Sequence, residues 1–468
     1  MAKSTLVLEN LAREYKKNNQ PLIFDFRSAS IDLLGEKNKH NQTTHYIHYY
    51  PGRIFPYIPF YLLSLKELMH FDGYLLDPFA GSGTILLEAI TNSVLKRNAL
   101  GVEINPLARL ISKVKTTSLN IGKITQYMNK IIYLYQNTMN AENHIPEFKN
   151  REIWFSNNAV KKLGRLRYAI HRLDADMDYR DFFWVCFSSI IRKIAKADPY
   201  IPPPVILKPE KYKNNPRKYQ RLKEHLKNAE NPNVLKLFEQ AVDSNKHKIN
   251  LLNNSQEVSK GKVRARVIWD DAREIKRGNL FECGRIDKNS ATNLASGSID
   301  IIFTSPPYLT AQKYIRTSRL ELLWLGYTEK EINDLEKMSI GTEKVQKSYK
   351  ITPLGIRSID SLVNYALSIS FERASVVYKY FRDMVESLKE MHRLLKKKGY
   401  LILVVGDNKV LGKRVETYRL LADIASRIGF NEIITLKDGI KSRSMMTKRN
   451  DTGGIIKNEY ITLFKKEV

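Results

Sequence analysis

The stretch "GYLLDPFAGSGTILLEAI" at residues 73–90 decides the fold class. Its first residues predict a short strand, Gly81 and Gly83 predict a tight turn, and the apolar run that follows predicts a helix. Glycines at such a turn let the backbone reverse sharply and approach a ligand closely. The first turn of the helix also offers free N–H groups. The pattern indicates one unit of an α/β sheet, whose turn either binds a cofactor or serves packing alone.

Similar units recur along the chain. They are "ALGVEINPLARLISKV" (residues 99–114), "RARVIWDDAREI" (264–275) and "SIDIIFTSPPY" (298–308). A long amphipathic helix then ends at Lys396–Lys398 and Gly399, before the buried strand "YLILVVGD" (400–407). "NEIITLKDGI" and "EYITLFKK" predict a closing pair of strands. Strands that alternate with helices predict a mostly parallel sheet.

Acidic residues stand at the ends of two of these strands. Glu103 follows the glycines by about 20 residues, the spacing at which a carboxylate can bind ribose hydroxyls. Asp270 and Asp271 end the next strand. Together these residues favour a cofactor that carries adenosine. A P-loop is excluded because G-x-x-x-x-G-K-[ST] does not occur, and "GSGT" lacks the third glycine of a dinucleotide site. The alternative for Glu103 is a solvated strand end.

The fourth unit ends in "TSPPY" at residues 304–308. Proline cannot donate a hydrogen bond to a sheet, so the strand must stop here. Ser305 and Tyr308 are thereby predicted at a stiff strand end, where open α/β sheets carry their chemistry. The alternative is a rigid turn without a function.

Composition limits the class of protein. A chain of 468 residues with 43% hydrophobic residues allows two or more domains and a large core. It contains no uncharged apolar run of about 20 residues, and its first residues lack the apolar core of a signal peptide. Cys186 and Cys283 have no metal-ligand spacing, and Cys186 is predicted to lie in a core helix. We expect a cytoplasmic protein without a membrane span or a metal.

The charge of the chain predicts a polyanionic partner. It carries 77 Lys and Arg against 49 Asp and Glu, a net charge of +28, which favours nucleic acid. A lysine-rich proteome is the alternative. The basic positions predicted to contact DNA are Lys208, Lys211, Lys213, Arg217, Lys218 and Arg221. A solvated helix face would show the same pattern. Residues 328–370 are a second candidate for recognition.

The motifs "DPFAGSGT", "GVEINP", "DDAR" and "TSPPY", taken together, resemble those of the S-adenosylmethionine-dependent amino-methyltransferases of DNA. "SPPY" and the residues after it are similar to the cytosine-N4 branch found in restriction–modification systems. "HYIHYYPGRIFPYIP" (residues 45–59) is similar to the segment that precedes the glycine motif in this family.

The resemblance implies an α/β, Rossmann-like methyltransferase fold with a mixed, mostly parallel sheet, for which residues 1–139 and 263–468 would form the core. Residues 140–262, polar and rich in Lys and Arg, are predicted as a largely helical basic insert that forms the target-recognition region. Its place between the second and third strands departs from the family, whose members more often carry their recognition elements after the third or the fourth strand. Glu103 would bind the ribose of S-adenosylmethionine, and Asp270 or Asp271 would bind its adenine amino group. The other predicted cofactor contacts are Asp77, Phe79, Ala80, Gly81, Gly83, Thr84, Ile104 and Ala272.

Ser305, Pro306, Pro307 and Tyr308 would hold the target base, by the same resemblance. The hydroxyl of Ser305 and the carbonyl of Pro306 can accept both N–H bonds of an exocyclic amine, and Tyr308 can stack on a flipped base. The chain has no Pro-Cys pair for carbon-5 methylation. Double-stranded DNA is the expected partner, together with a cognate restriction endonuclease where the system has one, and the expected location is the cytoplasm of a prokaryote, in association with the nucleoid. Adenine-N6 methylation, RNA guanine-N2 methylation and a non-catalytic binding module stay open as alternatives.

Overall fold

The computed structural model describes residues 5–18, 20–34, 44–68, 73–138, 141–199, 201–309, 314–345, 349–440 and 457–467. The strands are β1 (Leu22–Ile23), β2 (Tyr74–Asp77), β3 (Ala99–Val102), β4 (Ala265–Trp269), β5 (Lys276–Leu280), β6 (Ile286–Asn293), β7 (Ile299–Thr304), β8 (Leu395–Gly406), β9 (Asn408–Val410), β10 (Lys413–Val415), β11 (Phe430–Gly439) and β12 (Asn458–Lys466).

The helices surround this sheet and fill the long interval between β3 and β4. They are α1 (Thr5–Asn18), α2 (Phe26–Leu34), α3 (Tyr57–Leu63), α4 (Thr84–Thr91), α5 (Pro106–Lys115), α6 (Ile121–Asn137), α7 (Arg151–Trp154), α8 (Asn157–His171), α9 (Met177–Ile194), α10 (Pro216–Glu230), α11 (Val234–Asn253), α12 (Gln256–Ser259), α13 (Tyr314–Thr317), α14 (Arg319–Trp324), α15 (Glu329–Met338), α16 (Arg357–Leu367), α17 (Phe371–Leu394) and α18 (Thr417–Ile428).

The central sheet has eight strands in the order β1-β11-β12-β8-β7-β2-β3-β4. β12 runs antiparallel to both of its neighbours, and all other adjacent strands are parallel. This confirms the predicted Rossmann-like α/β fold with a mixed, mostly parallel sheet. The four strands that carry the sequence motifs, β7, β2, β3 and β4, are neighbours, so their carboxyl ends meet at one edge.

The end of the long helix α17 differs from the sequence prediction. The helix ends at Leu394, and the lysines predicted as its last turn already belong to β8. Leu394 and Leu395 are both fully buried, which draws the chain into the sheet. Lys396 then pairs with Asp300 on β7, with 2.7 Å between Nζ and Oδ1, and Lys398 adopts a left-handed φ of 63°. Packing against β7 has overridden the local helix signal.

The helices that lie between α5 and β4 begin at Ile121, before the start of the predicted insert at residue 140. They do not form a separate core. Helix α9 packs Phe182 and Phe187 into an apolar cluster that also holds residues of α5, α8, α11 and α14. The Trp324 ring of α14 makes edge-to-face contacts with Phe155 and Phe187, with centroids 5.6 and 6.3 Å apart. Cys186 is fully buried in the same cluster, and burial raises the pKa of its thiol to about 12.

The helices contribute their buried apolar residues to the core of the fold. Within the ranges given above, no helix combines the length and the apolar character that a membrane span requires.

Replacing Phe187 with Ala tests whether the helical region and the core helices unfold together. Phe187 is fully buried against Trp184 and Trp324, so we expect a loss of about 3–5 kcal/mol in the free energy of unfolding, measured in urea. Phe281, which is 52% exposed, provides the matched control, and Phe281→Ala should change little. A separate early transition for residues 121–259 would contradict the shared core.

Candidate active site

Side chains from four neighbouring strand ends meet at the carboxyl edge of the sheet. Ser305 follows β7, Asp77 ends β2, Glu103 follows β3 and Asp271 lies just beyond β4. Ser305, Glu103 and Asp271 are half-buried, whereas Asp77 is only 1% exposed. The sequence-predicted cofactor and base-binding residues are therefore brought to one open edge, the position where α/β sheets bind ligands.

The glycine turn is fastened to the end of β3. Gly81 and Gly83 adopt left-handed φ values of 50° and 76°. The backbone N–H of Gly81 donates to Glu103 Oε2 at 2.8 Å, and that of Asn105 donates to Oε1 at 2.7 Å. Burial raises the pKa of Glu103, while these two donors and the nearby Arg109 act in the opposite direction. Each carboxylate oxygen retains acceptor capacity for a further donor.

The space in front of the turn is open on one side and closed on the other. A Cβ atom added at Gly81 would find only the carbonyl oxygen of Phe79, at 4.0 Å. A Cβ atom added at Gly83 would lie 2.3 Å from Ser112 Oγ. Gly83 is thus required for packing against α5, while Gly81 leaves room for a ligand beside the half-buried Phe79 and Ile104. Ala80 and Thr84 are buried beneath the turn.

Asp77 joins β2 to β7 through its buried carboxyl group. Oδ1 accepts the hydroxyl of Thr304 at 2.6 Å and the backbone N–H of Phe79 at 3.1 Å. Burial is the main cause that raises the pKa of Asp77 to about 7, against the lowering effect of these donors. The carboxyl group therefore positions both the glycine turn and the strand that precedes the Pro-Pro corner.

The two acids after β4 have different partners. Arg273 donates to Asp271 through Nε at 2.9 Å and Nη2 at 2.8 Å, and this bonding holds the pKa of Asp271 below its usual value despite burial. Asp270 is 8% exposed and pairs with Lys288 of β6, with 3.0 Å between Nζ and Oδ2. Ala272 beside them is buried. Both acids keep free acceptor positions, so neither is excluded as the adenine partner.

The Pro-Pro corner is held from two sides. Ser305 Oγ donates to the backbone carbonyl of Val404 on β8 at 3.0 Å. Pro306 is buried, while Pro307 and Tyr308 are half-buried. Gly341, with a φ of 79°, passes close beneath the corner, where an added Cβ would lie 3.6 Å from the carbonyl oxygen of Tyr308.

Glu459 is a site residue that sequence reasoning missed. The Tyr308 hydroxyl donates to Glu459 Oε1 at 3.1 Å. Glu459 is the second residue of β12, and because this strand runs antiparallel to the others, its beginning lies at the edge where they end. The strand itself was predicted from "EYITLFKK", but the direction of the strand, which brings its first residues to the site, could not be read from the pattern.

Residues 45–59 pack behind the glycine turn. His45 Nε2 lies 2.7 Å from Glu88 Oε1 on α4, and both side chains are buried. Arg53 donates to the carbonyl of His45 at 2.6 Å. The amide of Asn105 donates to the Tyr50 hydroxyl at 3.1 Å. These contacts join the upstream segment to both α4 and α5.

A buried lysine beneath the turn was also missed. Lys115 is fully buried at the end of α5, and its ammonium lies 3.4 Å from Ser82 Oγ in the glycine turn. Burial lowers the pKa of Lys115 well below its ordinary value. The sequence offers no signal for this residue beyond its place at the end of an amphipathic helix.

The predicted DNA-binding lysines and arginines lie on and just before α10, which packs against α8 and α9. Lys208, Lys211 and Arg217 are exposed. The others have protein contacts: Lys213 pairs with Glu210, Arg221 pairs with Asp198, and the Lys218 ammonium lies 3.7 Å from the centroid of the Tyr212 ring. Helix α10 is attached to the end of α9, where His225 Nε2 lies 2.9 Å from the carbonyl oxygen of Ala195.

Comparison with known proteins identifies relatives for this architecture. Residues 299–467, from β7 through β12, match the family described as DNA methylase. The type II methyltransferase M.MvaI of Kocuria varians is 25% identical over 96% of this chain and 93% of its own length. M.AvaI of Nostoc sp. is 24% identical over 78% of this chain and 75% of that protein. M.BsoBI of Geobacillus stearothermophilus is 29% identical over 42% of this chain and 46% of that protein.

The matched family segment contains the Pro-Pro corner and Glu459, and the similarity to the first of these relatives extends across the glycine turn, the helical region and the closing strands. Residues 299–467 thus match the DNA methylase family, and the chain as a whole is similar to the type II methyltransferases.

Proposed function

We propose that this chain methylates the exocyclic N4 amine of cytosine in double-stranded DNA, with S-adenosylmethionine as the methyl donor, as the modification enzyme of a restriction–modification system. The observation that carries this proposal is the Ser305-Pro306-Pro307-Tyr308 corner beside the glycine turn and Glu103. The similarity to type II methyltransferases over 96% of the chain supports it.

The residues around the glycine turn fit S-adenosylmethionine. Glu103 presents a carboxylate fixed by two backbone N–H groups, and its remaining lone pairs suit ribose hydroxyls. The open space beside Gly81 and the half-buried side chains of Phe79 and Ile104 suit the adenosine of the cofactor and the sulfonium next to it. When bound, this cofactor supplies a methyl group on a sulfonium and leaves as a neutral thioether.

The hydrogen bonding of Ser305 suits the acceptor that an amine requires. The amine of cytosine is a weak nucleophile because its lone pair is delocalised into the ring. Ser305 directs its only hydroxyl proton to the carbonyl of Val404 at 3.0 Å, so its lone pairs are left for an incoming N–H. The carbonyl of Pro306 can accept the second N–H. Two acceptors would draw the lone pair out of conjugation and toward the methyl group.

Tyr308 and the two prolines would hold the target base in position. Tyr308 is half-buried, packs against the apolar cluster below it and presents a ring on which a flipped base can stack. Pro306 and Pro307 fix their own φ angles, so the carbonyl of Pro306 is held without the entropy of a flexible loop. Holding the amine and the methyl group in contact would contribute much of the rate enhancement.

Adenine-N6 methylation is the alternative on the same scaffold. An adenine amine could use the same two acceptors, and the matched family is described only as DNA methylase. The choice of cytosine-N4 depends on Ser305 standing where the adenine-specific enzymes of the resembled family carry Asp or Asn. Identification of the product therefore decides between them.

The first prediction concerns the product. Plasmid DNA from a methylation-free host that expresses this chain should contain N4-methylcytosine, measured by nucleoside mass spectrometry. Ser305→Ala removes the acceptor and should reduce the product by about 10²-fold or more, the effect typical of removing one electrostatic interaction with the reacting group.

Two other results of this experiment have clear meanings. N6-methyladenine in place of N4-methylcytosine would overturn the assignment of the target base but support the assignment as a DNA methylase. Modified RNA without modified DNA would overturn the assignment of DNA as the substrate. Ser290→Ala, at an exposed serine of the β5–β6 hairpin, provides the matched control and should leave the product unchanged.

The second prediction concerns the cofactor site. Gly83→Ala places a Cβ 2.3 Å from Ser112 Oγ at a φ of 76°, so the turn must shift. We expect the affinity for S-adenosylmethionine, measured by calorimetry, to fall at least tenfold. Gly297→Ala controls for the φ angle alone, because Gly297 has a φ of 62° with nothing within 4 Å of the added Cβ. Unchanged affinity for S-adenosylmethionine in Gly83→Ala would show that the glycine turn is not part of the cofactor site.

The third prediction concerns DNA binding by α10 and the residues before it. Lys208, Lys211 and Arg217 are exposed. Changing all three to Gln should lower the slope of log affinity against log salt by about 0.9 for each phosphate that the variant no longer neutralises. Lys123, Lys130 and Lys161, exposed on α6 and α8, give a control with the same change in charge. Equal effects in both triple variants would indicate a general effect of charge and reject α10 as the DNA-binding element.

A further inference from the structure

Three oxygen-bearing side chains extend from the Pro-Pro corner into the sheet. The Tyr308 hydroxyl donates to Glu459 Oε1 at 3.1 Å, and Ser305 lies close enough to Tyr308 to act on the pKa of its hydroxyl. Ser305 is the residue proposed to accept the amine of the target base. Rotation of the Ser305 hydroxyl away from the carbonyl of Val404 would complete a path from the reacting nitrogen to a carboxylate.

The surroundings of Glu459 favour a group that can take up a proton. It is half-buried at the start of β12, opposite Gly406 of β8 and Asp438 of β11. Burial is the largest cause that raises the pKa of Glu459 to about 7; the Tyr308 hydroxyl lowers it and Asp438 raises it further. A carboxylate that titrates near the working pH is well matched to accept a proton.

The charged and titratable groups around this path come from several elements. Asp438 faces Glu459 from β11, and Tyr314 of α13 lies near Tyr308. Asp407, at the end of β8, accepts from Arg414 at 2.9 Å and from the Tyr460 hydroxyl. Because Tyr460 follows Glu459 directly in β12, its side chain points to the other face of the sheet, which separates the Asp407–Arg414 pair from Glu459.

The proposed reaction releases a proton from the methylated nitrogen. The amine lone pair forms the N–C bond, and the electrons of the broken S–C bond remain on sulfur. The nitrogen is then positively charged, and it becomes neutral by losing one of its two protons. Ser305, as the proposed acceptor of the amine, stands directly beside this proton.

We propose that Glu459 receives this proton through Ser305 and Tyr308. Ser305 takes the proton from nitrogen and passes its own to Tyr308, after its hydroxyl rotates from the carbonyl of Val404. Tyr308 passes its own proton to Glu459. Each hydroxyl ends with one proton, the carboxylate becomes a carboxylic acid, and the methylated base is neutral. Glu459 acts through Tyr308 and is a positioning residue. This inference rests on the proposed amine methylation but not on which base carries the amine.

A purely structural role for Glu459 makes different predictions. Glu459→Gln keeps an oxygen that accepts from the Tyr308 hydroxyl, so the ring stays in place, but the amide cannot take up a proton. Tyr308→Phe keeps the stacking ring and interrupts the path. If Glu459 only orients the ring, Glu459→Gln should behave like the unchanged protein.

The test is the single-turnover rate of methyl transfer against pH, with the full chain, plasmid DNA from a methylation-free host and radiolabelled S-adenosylmethionine. The unchanged protein should gain rate about tenfold per pH unit below neutrality and level off above it, since Glu459 must be ionised to act. Glu459→Gln should abolish this slope, with a plateau about 10²-fold lower. The double variant with Tyr308→Phe should be no slower than either single variant, because both changes interrupt one path.

An infrared titration without DNA gives a readout that does not depend on activity. The carboxyl band that titrates near neutral pH should lose the contribution of one group in Glu459→Gln, while other buried carboxyl groups such as Asp77, whose pKa is also raised to about 7, keep the rest of the band. Glu432→Gln serves as the matched control, because Glu432 accepts the Tyr15 hydroxyl at 2.5 Å in a similar pair between α1 and β11. That variant should change neither the slope of the pH profile nor the plateau.

The outcomes separate this inference from the proposed function. A normal slope and rate in Glu459→Gln would overturn the proton path, whatever the product is. N6-methyladenine as the product, with the slope abolished in Glu459→Gln, would overturn the cytosine assignment and support the path. A lower plateau with the normal slope retained would assign Glu459 to orientation of Tyr308 alone and overturn proton acceptance.

Discussion

The buried hydrogen bond between Asp77 and Thr304 is the interaction on which the candidate site depends. It joins the ends of β2 and β7 at 2.6 Å, and the same carboxyl oxygen accepts the N–H that opens the glycine turn. A carboxyl group with 1% exposure and a pKa raised to about 7 is costly to bury. Its two donors offset part of that cost, and they fix the glycine turn relative to the Pro-Pro corner. Glu103 makes the equivalent connection between the turn and β3.

Much of this edge could be predicted because the relevant signals are local. Gly81 and Gly83 are required by backbone angles and close packing, and a pair of prolines ends a strand wherever it occurs. The apolar pattern, the turn residues and the spacing of the motifs therefore predicted four strands and the candidate site residues at their ends. The parallel direction of these strands, implied by the helices between them, brought the same ends to one edge.

What could not be predicted depends on contacts between distant segments. Glu459 reaches Tyr308 across 151 residues of sequence, and only the antiparallel direction of β12 brings it there. Lys115 approaches Ser82 from the last turn of a neighbouring helix. Residues 140–262 were predicted as a separate basic insert, yet α9 in this region buries Phe182 and Phe187 in a cluster shared with α5 and α14. A sequence pattern gives the apolar face of a helix but not the partner that covers it.

The acids at this edge would respond to the proposed substrate. The phosphates of a bound duplex would raise the pKa of any nearby carboxylate, because negative charges disfavour ionisation. Asp438 already acts on Glu459 in the same direction, and the pKa of Glu459 is raised to about 7. Arg414 on the β9–β10 hairpin pairs with Asp407 on the other face of the sheet, so this pair does not offset the effect on Glu459. In the proposed function the net charge of +28 would attract the duplex, whereas the ionisation of Glu459 would depend on how closely the phosphates approach the start of β12.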